Sequence, residues 1–597
     1  MPENRLGVAR LASIVGLSAL SMGIGLGSSG RLTYHEAFVA QAAREMISGG
    51  SWIVSTIDGQ PWLEKPPLAT WLVAVVGLVT GEVSEFAARA PSAVVACLMT
   101  LGIAGFASRR FGPNVGWLAG LIQATTMWTI LRGRLAEADI LLACLVTGTI
   151  LAFDRLRSGE SVGVARGPHL TRRRLLAGFR SSLVASASPP PRGEGPGERV
   201  AASSLMIRSS DLEPSWSVED PHPDPLPGGE GGSEDPNLGS LSGRGGLALR
   251  PDPPLEAPPS PYWRWAFFAG LGASALAKGI GFGAVLAGSA IVVVLLWDRD
   301  RRGFRALRNP WGWCLAGVLA LTWPVLAAVR LPSAVSLWAL HVTDRLSSQP
   351  EHFIGGPWWQ YVPAVLLQAM PWTPLALIGA GPSIVRAIAR RGGPDRLLWA
   401  WAVVPVLVLS TATVKNAHYA IHALPPLSVW AALGLIRVGA RLRLRGWSEF
   451  RVLRGAVLLF LALGLGSGLG HLILGPRLDR RGREWAFVEQ VGRQVERATP
   501  LVFLYEDWDR NPYPTPFGPM PHDWAIRLYS LERPAVWRQG VEDLAARPPG
   551  PGPYALVGRE RDLPALRELG RVESVTQGPA DRFDRTFALF RVDPVTR

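Results

Sequence analysis

Three short stretches place ionisable side chains at the margins of apolar sequence. The first, TYHEAFVAQAAREM at 33–46, opens with His35 and Glu36 directly after the chain's first long apolar run. The second, GQPWLEKPPLATWL at 59–72, sets Glu64 and Lys65 ahead of two prolines where an apolar segment begins. The third, RGRLAEADILLA at 132–143, carries Arg132, Arg134, Glu137 and Asp139 between two apolar runs. Charged groups at the edge of hydrocarbon are costly to place, which makes such residues functional candidates. Each has a plainer reading as well. Glu36 fits a first-turn acid facing a helix dipole. Lys65 can snorkel to the interface or hold a lipid phosphate as a compact charge. The Arg and Asp of the third stretch can form a structural ion pair.

The elements that would carry these residues are membrane helices. Of 597 residues, 48% are hydrophobic and 18% charged, and 24 are tryptophan. Runs long enough to cross about 30 Å of hydrocarbon fall at 10–29, 86–107, 114–132, 139–156, 262–280, 281–297, 311–330, 359–380, 397–413, 419–437 and 454–475. The first is followed by many others, which favours a retained span over a cleaved signal peptide. Segment 67–81 is apolar but short and reads as interfacial or re-entrant. The net charge of +14 gathers between the runs, at 109–110, 155–264, 299–308, 386–396 and 437–454. That pattern marks the cytoplasmic side of a membrane protein rather than a nucleic-acid surface. With eleven spans and a cytoplasmic N-terminus, the basic stretches all share one side. The other side receives 30–66, 132–139, 277–281, 331–358, 412–418 and everything beyond 475. Cys97, Cys144 and Cys314 lie in apolar runs with no metal-ligand or disulfide spacing and read as small core hydrophobes.

The expected fold class is an α-helical polytopic membrane protein of about 11 to 13 transmembrane helices, with a small C-terminal α/β extracytoplasmic domain. A first transmembrane region covers 1–157 and includes the outer loop 30–66. Residues 158–261 hold 17 of the 51 prolines and no apolar periodicity, the signature of a disordered cytoplasmic insert. A second transmembrane region covers 262–475. Within 476–597, segments 500–505, 553–558 and 587–592 read as short buried strands, with helices over 541–548 and 563–569.

Taken in order, YHEAFVAQAAREM, WLEKPPLATWL, EFAARAPSAV and GRLAEADILL resemble the N-terminal half of the GT-C membrane glycosyltransferases. The nearest branch is that of the aminoarabinose transferases and protein-mannosyltransferase-like enzymes. LAKG at 276–279, GPWWQYVP at 356–363 and KNAHYAIHALPP at 415–426 agree with it. The resemblance implies the GT-C fold and a location in the bacterial cytoplasmic (inner) membrane. It also implies transfer of a sugar from a polyprenyl-phosphate donor to a lipid A-like lipid, glycan or protein on the extracytoplasmic side. No nucleotide and no nucleic acid takes part. No cofactor is implied with certainty; a divalent metal on Glu64 and a loop histidine is conceivable, though no ligand spacing supports it.

By the same resemblance Lys65 would grip the donor phosphate, with Arg134, Lys278 or Arg345 assisting, because a departing phosphate needs cations already aimed at it. Glu64, His341, His418 and Tyr419 become substrate contacts, against plainer readings as loop polarity or an interfacial aromatic belt. The family's first motif usually reads Asp-Glu; here His35 stands in the Asp position and Glu36 is retained. Three readings stay open. His35 acts as the base, an imidazole being suited to that near neutral pH. Glu36 or Asp139 takes the role. Or the chain is an inactive copy. The rival from another class is a transporter or binder of lipid-linked sugars, which would set its ionisable groups near the bilayer midplane rather than at one edge.

Overall fold

The computed structural model describes residues 6–57, 59–158, 261–336, 338–339, 356–389, 393–412, 415–478, 482–505, 531, 535–580 and 586–594. The proline-rich segment 159–260 lies outside them. The membrane-type helices of the first part are α1 (Val8–Ser18, continued by a π-turn to Gly23), α2 (Tyr34–Ile47), α3 (Leu68–Thr80), α4 (Glu85–Phe111), α5 (Pro113–Ala124), α6 (Met127–Gly133) and α7 (Ala138–Ser158). After the insert come α8 (Pro261–Lys278), α9 (Phe282–Asp298), α10 (Arg301–Leu307), α11 (Pro310–Arg330), α12 (Tyr361–Gln368), α13 (Thr373–Ala389) and α14 (Pro394–Ser410). A 3₁₀ segment (Ala417–Ala423) then leads into α15 (Leu424–Leu444) and α16 (Glu449–Leu478).

Local sequence sets the boundaries. Thr33 caps α2, and its capping box closes on Glu36 three residues on, which satisfies two amides the helix itself cannot. Gly81 ends α3 in the left-handed region at φ 88°, where a side chain would be strained. Pro113 opens α5, a position that needs no N–H.

Among the described residues, four helices are individually long and apolar enough to cross a bilayer, or six if each of two bent pairs counts as one span. The bent pairs are α6–α7, turning by 119°, and α12–α13, turning by 114°. The expected run at 114–132 is divided at 125–126, between α5 and α6, and that at 359–380 breaks at 369–372, between α12 and α13. The short apolar segment at 67–81 is the 13-residue helix α3, about 20 Å long. Large apolar side chains such as Val94, Leu98, Val318 and Leu458 are exposed, the surface expected where lipid replaces water. The chain is a multi-pass helical membrane protein.

The helix directions sort the charges. The first turns of α4 and α7, the last turn of α8 and the 3₁₀ segment meet at one end of the bundle. The far ends of α4, α7 and α9 and the start of α14 carry a buried ion network at the other. There Arg110 pairs with Asp154 at 2.7 Å, Arg157 with Asp298 at 2.8 Å and Arg396 with Asp298 at 3.0 Å.

The C-terminal part is α/β. Its five-stranded mixed sheet contains β3 (Leu501–Tyr505), β4 (Val536–Gln539), β5 (Tyr554–Arg559), β6 (Gly570–Ala580) and β7 (Thr586–Pro594) in the order β4-β3-β5-β7-β6; β1 (Thr56–Ile57) and β2 (Gln60–Pro61) form a separate hairpin near the N-terminus. Strands β3, β5 and β7 and the helices Gly540–Ala546 and Leu563–Arg567 fall where the sequence places them. Strand β4 has only intermediate positions, and β6 beyond Gly570 only intermediate or exposed ones among those described, so their apolar signal is weak.

One buried pair ties the site end together. Glu36 has no exposed surface, and Arg89 of α4 is 4% exposed. Arg89 Nε donates to Glu36 Oε1 at 2.8 Å, and its Nη atoms donate to the carbonyls of Leu26 (3.2 Å), Gly30 (3.1 Å) and Arg31 (3.1 Å). The second carboxylate oxygen accepts the Thr33 amide at 2.8 Å, while Oε1 also accepts the Ala136 amide at 3.2 Å. From outside, α16 presses on the same loop: a Cβ at Gly475 would lie 2.2 Å from the Ser29 carbonyl oxygen. Arg31 reaches outward to Glu85 at 3.1 Å and to Glu489 at 2.5 Å.

Removing one partner of a buried, hydrogen-bonded pair costs about 3–5 kcal/mol, whereas an exposed pair contributes about 0–1 kcal/mol. Arg89→Ala is therefore expected to lower the thermal unfolding midpoint in detergent by many degrees, and Arg31→Ala to leave it nearly unchanged. Similar midpoints for the two variants would remove Arg89 from this central role.

Candidate active site

The α6–α7 break, residues 134–137, is where the candidate residues assemble. It is held from three sides: the Ala136 amide on Glu36, Arg134 on the π-turn of α1, and an ion pair between Arg132 and Glu137. Against it lies a small cleft lined by His35, Val39, Trp62, Lys65, Ala69 and Thr70 on one side and Ala136, Glu137 and Ala138 on the other. The Lys65 ammonium lies 3.5 Å from His35 Nδ1. The prolines after Lys65 start α3, so the loop carrying Lys65 stands directly on that helix's N-terminus.

Next to the cleft, Asp139 in the first turn of α7 is ion-paired with Lys278 at the end of α8. His418 Nε2 of the 3₁₀ segment lies 3.8 Å from the other oxygen of Asp139. Lys278 Nζ also sits 4.0 Å from the centre of the Tyr419 ring, a cation–π contact, and the rings of His418 and Tyr419 meet edge to face at 4.5 Å. The two groups share one field: Glu137 interacts electrostatically with Lys65, Arg132, Asp139 and Glu36.

Several sequence-based assignments take a different form. Glu36, expected among the acid–base candidates, does not line the cleft; it is buried and its oxygens are taken by Arg89, Thr33 and Ala136. Arg134, expected to assist with a phosphate, is 3% exposed and donates to the Met22 carbonyl at 2.9 Å and the Ser21 carbonyl at 3.4 Å. Its guanidinium thus satisfies carbonyls that the π-turn leaves over. Lys278 is an ion-pair partner of Asp139. Glu64 is half-buried beside Lys65 and outside the cleft lining. His341 and Arg345 lie outside the described residues. Among the described residues no group of three or more His, Cys, Asp or Glu side chains could hold a metal. Arg89, Arg132 and Glu137 were in plain sight within the motifs, but nothing local assigns them a partner.

The architecture, a helical multi-pass bundle bearing a small C-terminal α/β unit, is that of the GT-C fold. The structure is similar to ArnT from Cupriavidus metallidurans bound to undecaprenyl phosphate, with a TM-score of 0.65 at 16% identity over 98% of this chain and 97% of that one. In sequence, residues 64–161 match the dolichyl-phosphate-mannose-protein mannosyltransferase family. The undecaprenyl phosphate-alpha-4-amino-4-deoxy-L-arabinose arabinosyl transferase of Aeromonas salmonicida is 29% identical over 438 residues, 71% of this chain and 61% of that protein. Its counterpart from Shewanella sediminis is 22% identical over 409 residues, 66% of this chain and 54% of that protein. The match to the Edwardsiella ictaluri enzyme, at 29% identity, spans 38% of that protein's length.

The Asp139–Lys278 pair should behave as a unit, because removing the cation alone leaves a poorly solvated carboxylate without a counter-charge. Lys278→Met is expected to lower thermal stability more than the double variant Lys278→Met, Asp139→Asn. Additive losses in that comparison would show the two groups to be independent.

Proposed function

We propose that this chain is a membrane glycosyltransferase that moves a sugar from a polyprenyl-phosphate donor to a lipid A-like lipid, glycan or protein acceptor. The observation that carries this reading is the meeting of Lys65, His35, Glu137, Asp139, Lys278 and His418 at one break between membrane helices. In the reaction the acceptor hydroxyl oxygen attacks the anomeric carbon. The bond from that carbon to the phosphate oxygen breaks, its electron pair stays on the lipid phosphate, and the hydroxyl proton passes to a base.

Lys65 is the anchor for the phosphate, a compact cation at the mouth of an apolar cleft where charge is weakly screened. Asp139 and His35 are the acid–base candidates, and His418 and Tyr419 border the same space as substrate contacts together with Glu64. Lys278 orients Asp139. Glu36 and Arg134 hold backbone in this reading and take no part in proton transfer. His341 and Arg345 keep their assignment as substrate and phosphate contacts on the outer loop.

Sidedness rests on charge. The arginine-rich helix ends lie opposite the site, and cytoplasmic loops are the ones that carry such excess. That supports a site and a C-terminal domain (476–597) on the extracytoplasmic face of the bacterial inner membrane, and a cytoplasmic insert at 158–261 between transmembrane regions 1–157 and 262–475. The site shares its end of the bundle with the first turn of α4 and the last turn of α8, opposite the arginine-rich helix ends, which favours transfer over transport, where such groups would sit near the midplane.

Membranes supplied with radiolabelled undecaprenyl-phosphate sugar test this directly. Asp139→Asn is expected to lower the transfer rate by about 10²–10⁴-fold, the usual loss for a general acid or base. Lys65→Ala is expected to act mainly on the apparent affinity for the donor. Wild-type rates in both variants would refute the assignment.

A further inference from the structure

The loop 52–63 is pinned in place by indole N–H groups. Trp71 Nε1 donates to the Trp52 carbonyl at 2.7 Å, Trp323 Nε1 to the Ile53 carbonyl at 2.8 Å and Trp338 Nε1 to the Leu63 carbonyl at 3.1 Å. Trp62 breaks the pattern. Its backbone amide donates to the Ser55 carbonyl at 2.6 Å, and its ring stacks on Phe38 at 5.7 Å and 11°. The side chain is 3% exposed and lines the cleft beside His35 and Lys65. Yet its Nε1–H has no acceptor among the described residues.

Buried donors are nearly always paired. Trp128, Trp263, Trp399 and Trp401 also have buried indole N–H groups without an acceptor among the described residues, but of these five tryptophans it is Trp62 that lines the cleft beside Lys65, and there the spare donor invites an explanation. We propose that the Trp62 N–H is a binding donor for an oxygen atom on the head group of the lipid-linked substrate. The inference rests on the reading of this cleft as the donor site and assigns it a second recognition element. Lys65 supplies charge with little direction. The Trp62 N–H supplies direction without charge, because an indole donates along one axis and Phe38 fixes the plane of the ring. A phosphate oxygen or a sugar hydroxyl satisfies it. A protonated amino group, which has only donors, is excluded from that position. This makes Trp62 a specificity-determining contact that reads where oxygens sit on the substrate.

Trp62→Phe removes the N–H and keeps an aromatic ring against Phe38. The full chain in nanodiscs would be assayed for binding of undecaprenyl phosphate and for KM and kcat with the lipid-linked sugar. The expected result is a rise in KM of about tenfold, the usual effect of a lost hydrogen bond to a ligand, with kcat within about twofold. An equal loss of undecaprenyl phosphate affinity identifies the phosphate as the partner; unchanged affinity for it alongside the raised KM identifies the sugar. The thermal midpoint of the lipid-free variant should match or exceed that of wild type, because an unpaired buried donor is gone, whereas a merely structural tryptophan would lower it. Unchanged KM and unchanged lipid affinity, with Lys65→Ala still impaired, would overturn this inference alone. If the wild-type chain binds no undecaprenyl phosphate, the donor-site reading falls, and this inference with it.

Discussion

The contact on which the site end depends is the buried pair of Glu36 and Arg89. A carboxylate and a guanidinium taken out of water are tolerable only when their remaining hydrogen-bonding capacity is met. Here the demand for partners organises the surroundings. Arg89 gathers the carbonyls of Leu26, Gly30 and Arg31, and Glu36 gathers the amides of Thr33 and Ala136. The approach to α2, the start of that helix and the α6–α7 break are thereby locked to α4 and to one another. His35 is adjacent to Glu36, and Glu137 to Ala136. His35 is thus one position from a member of the pair, and Glu137 one position from a residue that the pair holds.

The remaining cations and acids follow from that anchoring. The break at 134–137 sets the first turn of α7 beside the cleft, where Asp139 meets Lys278 and His418 from elements remote in sequence. At the far end of α4, α7 and α9, the Arg110, Asp154, Arg157, Asp298 and Arg396 network does comparable work. The molecule thus keeps saturated ion pairs at one end and a partly open set at the other. Lys65 belongs to the open set, with His35 at 3.5 Å as its neighbour.

Much of this was legible in the chain itself, for a physical reason. Hydrocarbon thickness fixes the length of apolar runs, and the membrane sorts arginine between loops, so the helical class and the grouping of the site loops can be read without a structure. The same holds for Lys65, whose two following prolines force a boundary. What could not be read was pairing at long range. Glu36 and Arg89 are 53 positions apart and Asp139 and Lys278 are 139 apart. A sequence reports that each is ionisable, not which partner consumes its charge. The burial of Glu36 against Arg89 and the bonds of Arg134 to the carbonyls of the α1 π-turn are therefore seen only in the structure. Helix breaks within apolar runs, at 125–126 and 369–372, leave no hydropathy signal either. The strands β4 and β6 were missed because their outward positions are not apolar enough to show a period.

In the proposed function a polyprenyl phosphate sits at the α6–α7 break with its phosphate against Lys65. Cryo-electron microscopy of the full chain in lipid nanodiscs with undecaprenyl phosphate would test it most directly. The expected result is phosphate density in contact with the Lys65 ammonium, bordered by His35 and the first turn of α7. Phosphate density at the arginine-rich ends of α9 and α10 instead, with the cleft unchanged, would contradict it.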